Sequence, residues 1–311
     1  MNVIVMSTYN GGQYLQRQLD SVLRQTVADF TLLIRDDGSS DDTLELLGQY
    51  HDPRIRLTAG ENLGPSGSFL ALLEEARQLE ADYVFFCDQD DIWLDNKLEL
   101  LLAEIQKLPE GPALVFSDFA MIDGEDNLTG DSYTAMAGLR IPQDGNFFPK
   151  LLAQPYIFGC ACVLNRQLLE LVGNPPAGIE MYDCWIGLVA ALFGRVKYLP
   201  QATIRHRFHS SNATGQAGMN ALSTRLRRVT RQFQKQVANT RLRLHQAQLL
   251  LDRYGDRLTP ALQHQLSELA QAGRKGGFRA VRTLKKYAVA RGGSLQNCFF
   301  YATAFMCKGD K

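Results

Sequence analysis

Three apolar segments near the start of the chain each end abruptly in polar, turn-forming residues. The first is NVIVMS, the second is Phe30–Ile34 and the third is Tyr83–Phe86. A helix-compatible pattern follows each of them, over Gln13–Gln25, Thr43–Tyr50 and Lys97–Lys107. Apolar strands that alternate with helices predict parallel, right-handed βαβ units. In such a sheet, ligands bind outside the carboxyl ends of the strands, so the polar turns mark the expected cleft.

The third strand delivers three carboxylates to this edge, namely Asp88, Asp90 and Asp91 in the sequence YVFFCDQDDIWL. Two acids spaced as D-x-D can hold one hard divalent cation through oxygen, and the cation keeps its remaining positions for water and phosphate oxygens. An acidic turn without a metal fits the same residues, because Asp is common in turns. The triplet therefore predicts a cation site only together with its surroundings.

Four motifs follow one another along the chain: STYNGGQYLQRQLDSVLRQT, LLIRDDGSSDDT, ENLGPSGSF and FFCDQDDIWLDNKL. Together they resemble the nucleotide-sugar-binding half of inverting family 2 glycosyltransferases. The resemblance covers Asn2–Gly215. It implies a GT-A fold, which is a Rossmann-like α/β domain with a mostly parallel sheet flanked by helices.

The resemblance implies a donor site built on the strand ends. Tyr9 matches the aromatic residue that stacks on the nucleobase, and Asp37 matches the acid that accepts a hydrogen bond from the base. A flat π face and a carboxylate suit a pyrimidine N–H. The neighbouring Asp36 is expected to support its own turn by accepting backbone N–H groups. The predicted donor-binding residues are Thr8, Tyr9, Asn10, Asp37, Asn62, Gly64, Asp88, Gln89 and Arg207.

The same resemblance implies a divalent metal, either Mg²⁺ or Mn²⁺. Asp90 is predicted to bind it directly, while Asp88 contacts the metal, a metal-bound water or the donor ribose. His209, in the sequence IRHRFHSSNATG, is either a further metal ligand or, when protonated, a donor to the diphosphate. Asp91 is expected to cap the helix that follows it.

The predicted catalytic base is Asp183, in the sequence IEMYDCWIGLVAALFGRVKYLP, which resembles the acceptor-site helix of the family. An inverting transfer needs one carboxylate to take the proton from the attacking hydroxyl. The resemblance therefore implies a single displacement without a covalent sugar intermediate. An Asp at the start of a helix is also a common N-cap, and this alternative stays open at the level of sequence.

Charge is unevenly distributed along the chain, although its formal net charge is zero. Residues 1–219 contain 29 acidic and 15 basic residues, whereas residues 220–311 contain 4 acidic and 18 basic residues. We therefore predict two domains: a GT-A nucleotide-sugar-binding and catalytic domain over 1–219, and a basic amphipathic helical region over 220–311.

The basic region suggests a membrane surface as a partner. Cationic amphipathic helices bind anionic lipid, and the last apolar stretch, Ser294–Met306, is too short to span a bilayer. A peripheral protein on the inner face of the cytoplasmic membrane is expected. Alternatively, these helices pack against the acidic domain or against another subunit of a homo-oligomer. No nucleic-acid-binding module is recognisable, so a nucleic-acid partner is not expected.

The cysteines favour the reducing cytoplasm, because the six of them form no metal-finger spacing and the amino-terminal apolar run carries no basic leader. Cys160 and Cys162 are predicted to be small buried hydrophobic residues.

The substrate is less constrained than the fold. The motif around Tyr9 and the sequence YDCW are most similar to bacterial rhamnosyltransferases, which use dTDP-L-rhamnose to build surface polysaccharides. A UDP-hexose or UDP-N-acetylhexosamine donor would use the same residues, and a lipid-linked saccharide is the expected acceptor. Two rival classes are a sugar-nucleotide pyrophosphorylase, whose Gly-rich amino-terminal signature is absent, and a non-catalytic nucleotide-sugar-binding scaffold.

Overall fold

The structure of the protein, a computed structural model, describes residues 1–142, 145–209 and 225–307, with backbone only for 225–231. The predicted domain boundary after Met219 lies outside the described residues. Within the described part of the chain, no helix is both long and apolar enough to cross a membrane.

A single sheet of nine strands forms the framework of the fold. The strands are β1 (Asn2–Thr8), β2 (Phe30–Asp36), β3 (Ile55–Ala59), β4 (Tyr83–Cys87), β5 (Ile92–Trp93), β6 (Ala113–Ile122), β7 (Leu128–Gly130), β8 (Cys162–Asn165) and β9 (Arg195–Arg207). Their order is β3-β2-β1-β4-β8-β6-β9-β5, and β7 pairs with β6. Strands β3, β2, β1 and β4 are mutually parallel, β8 is antiparallel to both β4 and β6, and β9 is parallel to β6. The predicted α/β fold with a mostly parallel sheet is confirmed.

Helices connect several of the strands and follow the sheet in the described carboxyl-terminal part of the chain. They are α1 (Gly12–Leu23), α2 (Thr43–Gly48), α3 (Gly64–Gln78), α4 (Lys97–Ile105), α5 (Tyr133–Met136), α6 (Phe148–Ala153), α7 (Arg166–Val172), α8 (Tyr182–Phe193), α9 (Arg225–Tyr254), α10 (Pro260–Lys275), α11 (Gly277–Lys286) and α12 (Ser294–Phe305). The three helices predicted from the pattern, α1, α2 and α4, lie within two residues of their expected bounds.

The core explains why the central strands are continuously apolar. Val3, Ile4, Val5 and Met6 of β1 are completely buried, because helices cover both faces of a parallel sheet. Parallel register aligns Thr8 of β1 with Asp36 of β2 and therefore brings the polar strand ends to one edge. This alignment places the predicted site.

The described residues divide into two compact units, and the division differs from the predicted one. The first unit comprises the described residues within 1–137, 157–174 and 189–216. The second unit combines the described carboxyl-terminal helices with residues 138–156 and 175–188. The charge distribution could not reveal this, because two short segments from the middle of the chain pack with helices α9 to α12 through apolar side chains. Trp185, for example, stacks on Tyr254 with ring centroids 6.2 Å apart.

Candidate active site

Asp36, at the end of β2, organises the turn that follows it. Its carboxylate accepts hydrogen bonds from the backbone N–H groups of Gly38 (3.1 Å) and Ser39 (2.9 Å) and from the Ser39 hydroxyl (2.6 Å). The Thr8 hydroxyl donates to the same carboxylate from 2.9 Å. The predicted turn-supporting role of Asp36 is confirmed, and Thr8, expected at the donor, uses its hydroxyl to join β1 to this turn.

Three groups of the protein itself bind the Asp37 carboxylate. Arg35 forms an ion pair with its carboxylate, and the backbone N–H groups of Leu63 and Gly64 donate to it from 3.0 and 2.8 Å. The side chain is almost completely buried. Asp37 thus fixes the start of α3 against the end of β2, and its contact with a donor base stays a prediction. Gly64 begins α3 at φ +73, a conformation that favours glycine.

Asn62, also expected at the donor, is exposed next to this helix start. Its side-chain oxygen accepts the Gly64 N–H from 3.0 Å. The segment that follows forms the first turn of α3, with Pro65 in that turn. Proline suits this position, because a helix leaves its first N–H groups unpaired.

Tyr9 stands at the carboxyl end of β1 with 49% of its surface exposed. Both ends of the Gln89 side-chain amide hold its backbone: the Tyr9 N–H donates to Gln89 Oε1 (2.8 Å), and Gln89 Nε2 donates to the Tyr9 carbonyl (3.0 Å). Asn10 adopts a φ of +48, and its side-chain oxygen accepts the Ser40 N–H (2.8 Å). Gln89 and Asn10 therefore hold the loop, and the exposed Tyr9 side chain is available for contact with a ligand.

Asp90 and His209 meet at the same edge of the sheet. Asp90 Oδ2 lies 2.8 Å from His209 Nε2, and both side chains are mostly buried. The His209 ring also packs on Tyr14 of α1 with centroids 5.1 Å apart. Burial and the neighbouring Asp91 charge raise the pKa of the Asp90 carboxyl. A carboxylate oxygen and an imidazole nitrogen in contact form a donor pair that fits Mn²⁺ or Mg²⁺, with half-buried Asp88 two residues away in sequence.

Asp91 does not cap a helix, which corrects the expectation from sequence. It is completely buried, pairs with His206 Nδ1 at 2.8 Å and accepts the Arg207 N–H from 3.1 Å. Strand β5 intervenes between Asp91 and α4, so the helix begins after Asn96 instead. Burial alone would lower the pKa of His206, but the charge and hydrogen bond of Asp91 outweigh burial and raise that pKa to about 9.

A second group of possible ligands surrounds this ion pair. Atoms of Asp88, Asp91, Cys160 and His206 all lie within 4.8 Å of one another. Burial raises the pKa of the Cys160 thiol well above its ordinary value. The His206 ring nitrogen Nδ1 lies 2.8 Å from Asp91 and 3.9 Å from Cys160 Sγ, so these residues also contact one another directly. Cys160 and Cys162 are buried, as predicted.

The predicted contact of Arg207 with the donor stays a prediction, and the guanidinium contacts seen in the structure are with the protein itself. Its side chain is completely buried. The guanidinium donates to the backbone carbonyls of Asp90 and Asp123, each 2.8 Å away, and lies 4.4 Å from the Tyr14 ring centroid. It also pairs with Asp126. Arg207 thus holds the backbone of Asp90.

Asp183 is the second residue of α8, in the second compact unit. It is therefore inside the first turn and is not the N-cap, although the positive end of the helix still stabilises its charge. Asp183 Oδ1 accepts the Cys184 N–H from 2.7 Å. Nearby, Glu180 pairs with Arg243 at 3.1 Å. Burial raises the pKa of Glu180, the Arg243 charge opposes this, and the Asp183 charge adds to it.

Sequence reasoning missed His206 and Arg35, which neutralise the acids behind the cleft. Arg35 precedes Asp37 by two residues, so both side chains point to the same face of the strand end. His206 lies next to Arg207 in a strand whose last residues alternate basic and other side chains. Both signals are weak, because they become visible only when the strand register is known.

The sheet and the contact between Asp90 and His209 at the carboxyl ends of its strands agree with the GT-A fold expected from the motifs. The family model for glycosyl transferase family 2 matches residues 3–173, more than half of the chain. The chain belongs to this family, which confirms the resemblance seen in its motifs.

Two curated relatives differ in the donor that their names state. A UDP-Glc:alpha-D-GlcNAc-diphosphoundecaprenol beta-1,3-glucosyltransferase of Escherichia coli is 28% identical over 187 residues, covering 60% of this chain and 68% of the relative. A dTDP-rhamnosyl transferase of Shigella flexneri is 32% identical over 99 residues, covering 30% of this chain and 34% of the relative. The matches span about two thirds of the length of several other curated relatives.

Solved structures support the fold. Residues 1–349 of Staphylococcus aureus TarS in complex with UDP-GlcNAc align with a TM-score of 0.57 at 16% identity, covering 88% of this chain and 72% of that one. A mannosyltransferase from Pyrobaculum calidifontis in complex with GDP-Man and Mn²⁺ aligns with a TM-score of 0.52 at 16% identity, covering 98% and 86%. At this identity, the likeness establishes the GT-A fold alone.

Proposed function

We propose that this protein is an inverting glycosyltransferase that moves a sugar from a nucleotide sugar to a hydroxyl of a lipid-linked saccharide. The observation that carries the proposal is the contact between Asp90 and His209 at the same sheet edge as exposed Tyr9. The relative that acts on GlcNAc-diphosphoundecaprenol supports the lipid-linked acceptor. A dTDP-L-rhamnose donor and a UDP-sugar donor each have a relative in their favour.

Asp90 and His209 would hold Mg²⁺ or Mn²⁺, with Asp88 beside them. When bound, the metal supplies positive charge for the diphosphate of the leaving nucleotide. Tyr9 offers its exposed face to the base, and the Gln89 amide keeps the Tyr9 backbone in place. Arg207 positions Asp90 from behind, because its guanidinium donates to the Asp90 carbonyl.

Asp183 would act as the general base. Its carboxylate takes the proton from the acceptor hydroxyl, the hydroxyl oxygen forms a bond to the anomeric carbon, and the bond from that carbon to the diphosphate breaks. The electron pair of the broken bond leaves with the nucleoside diphosphate. The first turn of α8 favours the ionised form of Asp183, which is the form that a base requires.

Donor binding and turnover test this proposal separately. We would titrate dTDP-rhamnose, UDP-glucose and UDP-N-acetylglucosamine by calorimetry, with Mn²⁺ and with a chelator, into the wild type and Asp90→Asn. Metal-dependent binding of one donor, lost in Asp90→Asn, is expected. Asp29→Asn is the control, since Asp29 is an exposed acid of the same unit. Equal binding with and without metal in both proteins would contradict the metal site.

Asp183→Asn is expected to reduce kcat by about 10²–10⁴-fold, the usual contribution of a general base, while donor affinity is unchanged. Asp256→Asn, an exposed acid in the second unit, is the control. Full turnover by Asp183→Asn would show that another group is the base. Donor binding without transfer to any acceptor by the wild type would favour the non-catalytic scaffold.

We also infer that the second unit binds an anionic membrane surface through α11 and α12. Phe278 is 83% exposed and Leu295 is 87% exposed, and Phe278 packs edge-on against Phe305. Ala280 and Leu284 bury the opposite face of α11. The exposed basic residues of α11 are Arg279, Arg282, Lys285 and Lys286. Each cation near anionic lipid contributes about 1 kcal/mol, and inserted Phe and Leu side chains add apolar burial.

Vesicle flotation tests this surface. Replacing Phe278 and Leu295 together by Ser is expected to reduce binding to phosphatidylglycerol vesicles at least 10-fold, whereas Leu128→Ser, an exposed apolar residue of the first unit, leaves binding unchanged. Neutral phosphatidylcholine vesicles should bind weakly. Unchanged binding by the double variant would refute the surface. If the double variant instead converts a dimer to a monomer in sedimentation, the surface is a contact between subunits.

A further inference from the structure

Two arginines converge on one backbone carbonyl in the second unit. Ala153, the last residue of α6, accepts hydrogen bonds from Arg243 Nη1 at 3.4 Å and from Arg291 Nε at 3.3 Å. Arg243 belongs to α9, and Arg291 lies between α11 and α12. The chain therefore brings the two guanidinium groups together from segments about fifty residues apart in sequence.

The charges around this arginine pair do not balance. Glu180 neutralises Arg243 at 3.1 Å, with both side chains mostly buried. Arg291 forms no ion pair with the described residues. Its guanidinium carbon lies 5.3 Å from the centroid of the Phe300 ring. Burial, and then the Arg243 charge, lower the pKa of Arg291 to about 10. A third arginine, Arg140, packs its side chain against Gly292. The two guanidinium groups that meet at Ala153 thus share one ion-paired carboxylate, that of Glu180.

Capping of α6 explains only part of this arrangement. A basic side chain at the end of a helix commonly binds its last carbonyls, and Arg243 with its Glu180 partner would satisfy Ala153 alone. A second half-buried cation adds desolvation and repulsion, which is unfavourable unless an anion offsets them. Arginine is also the side chain whose planar fork best matches phosphate oxygens.

We propose that Arg243 and Arg291 bind the diphosphate group of the acceptor. This assignment rests on the proposed function, because it takes the acceptor to be a saccharide attached to lipid through a diphosphate. Glu180 contacts Arg243 and is close enough to feel the Asp183 charge, so the base and the arginine pair are neighbours in one unit. Where the acceptor carries one sugar on its diphosphate, a single ring separates the attacking hydroxyl from that diphosphate, and an arginine pair in the same unit as Asp183 would hold that end.

The binding test uses inorganic pyrophosphate as the probe, with EDTA present so that the metal-dependent donor site does not contribute. Calorimetry of the full chain should show binding that weakens at least 10-fold in Arg291→Met. Arg291→Lys keeps the positive charge but lacks the planar guanidinium. Its pyrophosphate affinity is therefore expected to lie between those of the wild type and Arg291→Met. Arg257→Met, an exposed arginine of the same unit, is the control. Equal pyrophosphate affinity in the wild type and Arg291→Met would overturn the proposal.

The kinetic test compares two acceptors that differ in the diphosphate. For polyprenyl-diphosphate-linked N-acetylglucosamine, Arg291→Met is expected to raise KM at least 10-fold with kcat nearly unchanged. For an alkyl glycoside of N-acetylglucosamine, KM should stay the same. An equal rise for both acceptors would mean that Arg291 acts only on the fold, and would overturn the proposal.

Failure of the proposed function has a different signature. If the wild type transfers sugar to neither acceptor, the function is refuted, while the pyrophosphate titration still decides whether the arginine pair binds a diphosphate. Binding to phosphatidylglycerol vesicles tests whether the arginine pair contacts lipid headgroups instead of the acceptor diphosphate. If Arg291→Met loses vesicle binding and keeps pyrophosphate binding, the pair contacts lipid headgroups and the acceptor assignment is wrong.

Discussion

Lys97 is a completely buried lysine behind the candidate site, and its protonation should change stability measurably. It is the first residue of α4, its ammonium lies 3.4 Å from the Trp93 ring centroid, and it donates to the Cys160 carbonyl. Burial lowers its pKa from 10.5 to about 8, because the charged form loses its hydration, and nearby Cys87, Cys160 and Asp91 oppose that shift. The ring face and the carbonyl recover only part of that hydration.

The direction of the pH dependence follows from this shift. Between pH 8 and 10.5 the unfolded chain still holds a proton on Lys97 that the folded chain has released, so the free energy of unfolding rises with pH across this window. Each unit of pKa difference corresponds to about 1.4 kcal/mol, which gives an upper value of about 3 kcal/mol for the full window. Below pH 8 the folded protein carries the whole cost of the buried charge.

Urea unfolding at several pH values tests this reasoning, with wild type, Lys97→Met and the control Lys107→Met, which removes an exposed lysine just after α4. Other groups titrate in all three proteins, so their contributions cancel to first order when the curves are subtracted. The wild-type curve should rise relative to Lys97→Met by about 2–3 kcal/mol between pH 8 and 10.5. Parallel curves would refute the argument and mean that Lys97 keeps an ordinary pKa in the fold.

Three further changes test the framework around the site. Asp36→Asn should lower the free energy of unfolding by about 2–4 kcal/mol, because an amide cannot accept all the bonds that the carboxylate accepts; a urea midpoint equal to wild type would contradict this. Gln89→Ala releases the backbone of Tyr9 and should raise the donor Kd about 5–30-fold by calorimetry, equivalent to one or two lost hydrogen bonds. Arg207→Met should destabilise the fold by about 3–5 kcal/mol, because it leaves buried acceptors unpaired; an unchanged Tm would argue against this.

The sheet was predictable because two separate signals in the sequence mark its central strands. The central strands are apolar throughout, as burial on both faces requires, and each is followed at once by polar residues and a helical pattern. Strand β3 gives neither signal: Ile55–Ala59 is mostly exposed at the edge of the sheet and carries mixed side chains. Helix α3 begins with Gly-Pro-Ser-Gly, a composition typical of loops, and only the folded contacts with Asp37 explain its start.

Residue types at the site were predictable, but the directions of their side chains were not. The sequence motifs place Thr8, Asp37, Gln89 and Arg207 near a ligand, yet each uses its polar group on the protein itself. A strand that ends at a cleft leaves unpaired backbone groups and buried charges, and neighbouring side chains must satisfy them. Spacing in sequence does not distinguish such a residue from a ligand, because both belong at the same strand ends.

The residues that would contact a ligand depend on the residues that bond to the protein behind them. This dependence is a reason for the many polar side chains at one edge of the sheet. The metal binding proposed for Asp90 would need a fixed backbone. Arg207 donates to the Asp90 carbonyl from the interior, and buried Asp91 accepts the Arg207 N–H. His206 in turn neutralises Asp91. A charge placed at the cleft by one strand is therefore supported by an inner layer of opposite charges from β9. Loss of an inner residue should weaken donor binding through misplacement of Asp90, with no change in the ligand atoms themselves.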